Sequence, residues 1–407
     1  MGILMGTMPI RVLFLNTRDQ RGADVDVHVT LMRHFAPGQV DAHLISNSEA
    51  SDATAMRGIA ESMPRVASTF LPLGVPAEAL AAAGKAAKGL SVARLARSLT
   101  RAASYARRHR IDVVHATDRP RDAMAVVIAA RLAGAASLVH MHSSYGDHLS
   151  RLTRWGFRNA TAVVGVSEFT RRGLIGMGLE ESRVHVLHNA TDIDHFDPDA
   201  FAASGRGIRA RFAVPLDAPL LGIVARINPW KGQRESISAL ARISVDHPEA
   251  RLMIVGSGPP SEGEALRALA REEGVAERVV FAGRHDDVRP FLDAFDVFVH
   301  PSFEEPFGLA ITEAMAMRKP VVACDSGALP EIVSDGVDGL LVAPRSADAV
   351  AEAAGRVLSD GALALRLGGS ARATVAARFV PSMQCAAAAA LYGRVIGSAG
   401  GRVPAVA

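Results

Sequence analysis

The sequence predicts an α/β protein made of two doubly wound halves, each a parallel sheet with helices on both faces. Three observations carry this expectation. Short β-branched runs alternate with alanine-rich segments of helical length, as parallel strands joined by crossover helices do. The series occurs twice, and a polar stretch with Pro198, Gly205, Gly207, Pro215 and Pro219 lies between the two series. At 407 residues the chain is long for a single core. The expected organisation is a first domain over 1–192, a linker over 193–218, a second domain over 219–380, and a terminal helix with its tail over 381–407.

Bulk properties narrow the class. A 49% hydrophobic content with 5% aromatics fits a globular α/β chain, and a net charge of +3 gives no case for a nucleic-acid partner. Cys324 and Cys385 match no metal spacing and suit a reducing compartment as small buried residues. The opening MGILMGTMPIRVLFLN lacks a basic first region and a small-residue cleavage site, so it does not read as a signal peptide. Residues 123–141 are the longest apolar-leaning stretch, but Arg131 interrupts them at a cost no bilayer centre favours. A cytoplasmic protein without a spanning helix is expected.

In the first half, strands are expected at 11–15, 42–46, 68–73, 112–116, 137–141, 161–166 and 184–187. The polar loop from Asn16 to Ala23 follows the first and opens a helix. Residues 79–111 hold no acid but contain Lys85, Lys88, Arg94, Arg97, Arg101, Arg107, Arg108 and Arg110, with Leu90, Val92, Leu95, Leu99 and Ala102 at helical spacing. Two readings stand side by side. Such a helix can lie on an anionic membrane surface, which would place the protein at the inner membrane face, or it can pack its apolar side on the sheet. His140 and His142 follow the fifth strand, His140 reading as core and His142 as a site candidate, with Asp147 and Arg151 nearby. Ser167 to Thr170 has the form of a capped helix start.

In the second half, strands are expected at 220–225, 252–255, 279–281, 297–299, 321–323 and 340–342. The first runs into Arg226-Ile227-Asn228-Pro229-Trp230-Lys231, where two cations five apart can converge on one diphosphate. Gly256 follows the second strand and Arg284, with His285, the third. The stretch DVFVHPSFEEPFGLAITEAMAMR, 296–318, is the most legible in the chain: a buried strand, a loop with Pro306 and Gly308, and then a helix. A strand running into a helix this way aims backbone amides and the positive end of a helix dipole at an anion. Glu305 stands before that helix and Glu313 about five residues into it, roughly 7–8 Å deeper. Carboxylates repel phosphate, so sugar hydroxyls are their fitting partners.

The spacing Glu305-x-Phe307-Gly308-x-x-x-x-Glu313 resembles the two-glutamate signature of retaining glycosyltransferases of family 4, the glycosyl transferases group 1, which have the GT-B fold. The resemblance implies two Rossmann-like domains facing a cleft, with the terminal helix returning to the first. It implies that Glu305 contacts donor-sugar hydroxyls and Glu313 the nucleotide ribose, with Phe307, Gly308 and Leu309 beside them. It assigns Arg226 and Lys231 to the donor pyrophosphate, His142 to the sugar's 6-position, Gly256 and Arg284 to the nucleotide, and the turn at His188 to Asp192 to a hinge. Where relatives keep paired glycines after the first strand this chain has Arg21 and then Gly22, so Gly22 alone is carried over as a contact.

The implied reaction moves a hexosyl group from a nucleoside diphosphate sugar, a UDP-sugar ahead of a GDP-sugar, to an acceptor hydroxyl with retention. The acceptor is a glycan, a lipid or a small metabolite. No paired Asp motif at metal spacing occurs, so a reaction without metal or other cofactor is expected. A phosphorylase or nucleotide-sugar epimerase on the same fold, or a non-catalytic sugar-nucleotide sensor, are the alternatives.

Overall fold

A computed structural model describes residues 8–17, 22–50, 53–73, 85–146 and 148–398. The chain divides into two compact units, one of residues 1–188 with 381–407 and one of 189–380.

The first unit holds a seven-stranded parallel sheet: β1 (Ile10–Asn16), β2 (Val40–Asn47), β3 (Ala67–Leu71), β4 (Val113–Thr117), β5 (Ala136–Met141), β6 (Ala162–Gly165) and β7 (Val184–Val186), in the order β3-β2-β1-β4-β5-β6-β7. Its central strands are largely apolar on both sides because helices cover both faces. One face packs Phe14 and Leu44 under helix Ala23–His34 and under the terminal helix Pro381–Ser398, which contributes Cys385, Leu391, Tyr392, Val395 and Ile396. The other packs Leu13, Val114 and Val139 under helices Lys85–Arg108 and Pro120–Ala133. The terminal helix is thus a layer of the first unit.

Helix Lys85–Arg108 sends Leu99, Ala102 and Ala106 into that core and leaves Arg94, Arg97, Arg101, Arg107 and Arg108 exposed. Its amphipathic pattern is accounted for by the sheet it covers. Residues 79–84 and Asp147 lie outside the described residues. Among the described residues no helix is long and apolar enough to cross a membrane. Ser167 caps helix Glu168–Gly176 through a capping box with Thr170.

The second unit holds β8 (Leu220–Val224), β9 (Arg251–Val255), β10 (Val279–Gly283), β11 (Val297–His300), β12 (Val321–Cys324) and β13 (Leu340–Val342), all parallel, in the order β10-β9-β8-β11-β12-β13. This is the doubly wound order, reversing between β8 and β11.

The stretch 193–218 is not a linker. It forms helices Pro198–Phe201 and Ser204–Arg211 within the second unit. Arg209 is buried and donates to the carbonyls of Ala294 (2.8 Å), Pro215 (3.1 Å) and Ala218 (2.7 Å) while pairing with Asp296 (2.8 Å). An arginine satisfying several carbonyls holds this segment, and hydrophobic periodicity does not register such bonds.

Candidate active site

In open α/β sheets a ligand crevice forms beyond the strand ends where the strand order reverses, because the two loops leaving there go to opposite faces. In the second unit those loops are 225–232 after β8 and 301–308 after β11. The Phe303 amide donates to the Trp230 carbonyl at 3.2 Å and ties the two together. Lys231, closing the 3-10 turn Pro229–Lys231, then reaches Glu305: its Nζ donates to Glu305 Oε2 at 2.5 Å. His300 Nε2, at the end of β11, lies 3.0 Å from the same oxygen. Neither bond falls on Glu305 Oε1.

Glu305 is only 7% exposed. Burial alone would push its carboxyl up, but the Lys231 ammonium and the His300 ring hold it well below the usual carboxylate range, so it is ionised at neutral pH. The backbone of Glu305 is fixed from a third side. The Ala328 amide donates to its carbonyl at 2.9 Å, and Gly327 sits so close that an added Cβ would lie 2.7 Å from that oxygen. The loop after β12 therefore sets the position of Glu305.

Helix Leu309–Ala316 begins directly after the 301–308 loop, and its N-cap Gly308 makes no side-chain capping bond. Leu309 and Glu313 are half-buried on that helix, while Phe307 is buried and meets Phe379 edge-on with centroids 5.7 Å apart. The Phe307 ring thus anchors the loop in the core. Arg226 shares the Lys231 loop and is exposed, its carbonyl accepting from Gln233 Nε2 at 3.0 Å. Gly256 donates its amide to the Gly283 carbonyl at 2.8 Å and lies against the Ala225 carbonyl, with no space for a side chain between. Arg284 is a surface side chain, 76% exposed and paired with Asp286.

The remaining two candidates belong to the first unit. Gly22 is the extended N-cap of helix Ala23–His34, and its carbonyl accepts from Val25 and Asp26. His142 follows β5 half-buried, its ring 4.1 Å from that of His140, which is fully buried as expected of a core residue. The structure therefore joins Lys231 and Glu305 directly, with Arg226 on the one loop and Phe307 to Leu309 on the other. It adds His300, which sequence reasoning passed over because a histidine closing a buried strand looks like core. The one available signal was its place five residues before Glu305.

Known proteins agree with this architecture. Residues 218–360 match the family model described as glycosyl transferases group 1, and residues 76–195 match that of glycosyltransferase family 4. A 2-deoxystreptamine glucosyltransferase of Streptomyces kanamyceticus is 29% identical over 329 residues, 76% of this chain and 84% of the relative. The lipopolysaccharide core biosynthesis glycosyltransferase LpsE of Rhizobium meliloti is 33% identical over 58% of this chain and 65% of its own length. A D-inositol 3-phosphate glycosyltransferase of Xylanimonas cellulosilytica is 36% identical over 48% of each. Among solved structures, Anabaena HepE in complex with UDP superposes with a TM-score of 0.76 at 22% identity, over 95% of this chain and all of that one. A glycosyltransferase of Rickettsia africae gives 0.77 at 18% identity, over 95% and 99%. With two doubly wound parallel sheets, family matches in both halves and relatives that are glycosyltransferases by name, the chain is a glycosyltransferase of the GT-B fold.

Proposed function

We propose that the enzyme moves a hexosyl group from a nucleoside diphosphate sugar, a UDP-sugar ahead of a GDP-sugar, to an acceptor hydroxyl with retention and without metal. The observation that carries this reading is the Lys231–Glu305–His300 cluster beside an uncapped helix start at the switch point of the second sheet. An ammonium has three donors; Glu305 takes one, and two are left for diphosphate oxygens. With Arg226 and the helix dipole they would stabilise charge growing on the leaving group. Glu305 Oε1 would accept from a sugar hydroxyl, and Glu313 from the ribose. Departure and attack fall on one face, the leaving diphosphate oxygen taking the acceptor's proton. HepE has been solved with UDP and with UDP-glucose, which favours a uridine donor by analogy of fold.

The test is nucleotide release from UDP-, GDP- and ADP-sugars with chelator present, water serving as default acceptor. Release from one donor is expected, and Glu305→Gln should abolish it while nucleotide affinity stays within about tenfold, because the lost charge faces the sugar. Turnover that survives Glu305→Gln, or that needs a divalent ion beyond one held tightly per chain, would overturn the proposal.

A further inference from the structure

Three buried histidines in the first unit play no part in the donor site. His28 comes from helix Ala23–His34, His115 from β4 and His140 from β5, and one ring nitrogen of each lies within 4.8 Å of the other two. Imidazoles in an apolar core need partners, since an unpaired buried polar group is costly. Here His28 Nε2 has none among the described residues. A hydrogen-bonded chain from Tyr392 through His115 to His140 would satisfy two of the rings, but it leaves His28 Nε2 stranded.

A metal ion satisfies the set better. His115 Nε2 and His140 Nδ1 stand 3.3 Å apart, and two nitrogens bound tetrahedrally at zinc distances are separated by about 3.3–3.4 Å. His115 Nδ1 lies 2.8 Å from the Tyr392 hydroxyl, the outer hydrogen bond that metal-binding histidines make to fix their tautomer. Asp24, buried one turn before His28, pairs with Arg119 at 3.3 Å and so brings its charge near the cluster already partly balanced. His28 also borders a small, mostly apolar cavity lined by Phe14, Val25, Val29, Met32 and Leu44.

We propose that His28, His115 and His140 bind one divalent transition-metal ion of the imidazole-preferring class, clamping helix Ala23–His34 to β4 and β5. The ion is structural, and sugar transfer does not pass through it.

The full chain, stripped by chelator and dialysed, is titrated with Zn²⁺ by calorimetry and with Co²⁺ by visible absorption. One ion per chain and the d–d band of tetrahedral Co²⁺ are expected. Tyr392→Phe keeps the core volume and removes the outer hydrogen bond, so Zn²⁺ affinity should fall about 10–100-fold. His28→Gln should abolish the Co²⁺ band, whereas His43→Gln, at a histidine paired instead with Tyr105, should retain it. If His28→Gln fails to fold, Tyr392→Phe decides alone. Absence of saturable one-to-one binding in the parent, or affinity unchanged in Tyr392→Phe, would refute the site.

Discussion

His300 shows how much one side chain can govern a carboxylate it does not replace. Its ring stacks on Phe298 with an interplanar angle of 9°, and its Nε2 meets Glu305 Oε2, so it transmits the rigidity of β11 to the base of the site. A hydrogen bond to a charged group contributes about 1.5–3 kcal/mol, or roughly tenfold to a hundredfold in rate when it orients a reacting environment. His300→Phe, which keeps the stacking, should lower kcat by that factor with donor KM nearly unchanged, and His300→Gln should recover part of it. A kcat equal to the parent's would make His300 a packing residue only. Glu305 was legible from its motif alone. His300 was not, because no local pattern distinguishes a histidine that ends a buried strand from one that serves its neighbour.

At the scale of elements, the loop after β12 matters as much as the loop that carries Glu305. Gly327 has φ +63° and presses against the Glu305 backbone, so Gly327→Ala combines a left-handed conformation with a contact that must shift. Such strain costs about 1–3 kcal/mol, and the displacement moves the carboxylate with it. Gly327→Ala should lower the denaturant midpoint and reduce transfer more than tenfold; an enzyme of parental activity would show that the loop only fills space. Among the elements themselves, the thirteen described strands were readable as short runs, most of them because burial on both faces leaves a continuous apolar signature, with the half-exposed edge strand β3 read from its β-branched content. Helix Ser204–Arg211 was not, because Arg209 holds it to the unit through carbonyls instead of an apolar stripe.

For the whole molecule, buried charge sets how stability follows pH. Asp122 is fully buried, accepting from the Thr17 amide (2.7 Å) and the Thr117 hydroxyl (2.5 Å), yet desolvation pushes its carboxyl up to about 6. A group raised this way favours the folded chain below its unfolded value near 3.9 and loses that contribution as pH rises through 6, a cost of up to about 3 kcal/mol at pH 8. Asp122→Asn should therefore raise the urea midpoint at pH 8 and leave it nearly unchanged at pH 3, below both pKa values. An equal gain at both pH values would assign the effect to packing. The place of the terminal helix in the first unit followed only from the family resemblance, because an alanine-rich helix does not announce which sheet it covers.

That helix also fixes an order of events during synthesis. The second unit has all its residues once Val380 has left the ribosome, whereas the first, though translated earlier, lacks a layer until Ser398 emerges. Most multidomain chains complete their domains from the N-terminus onward. Here the nascent first unit must wait with Phe14, Leu31, Met32 and Phe35 uncovered while the whole second unit and then the terminal helix are made, and it closes last.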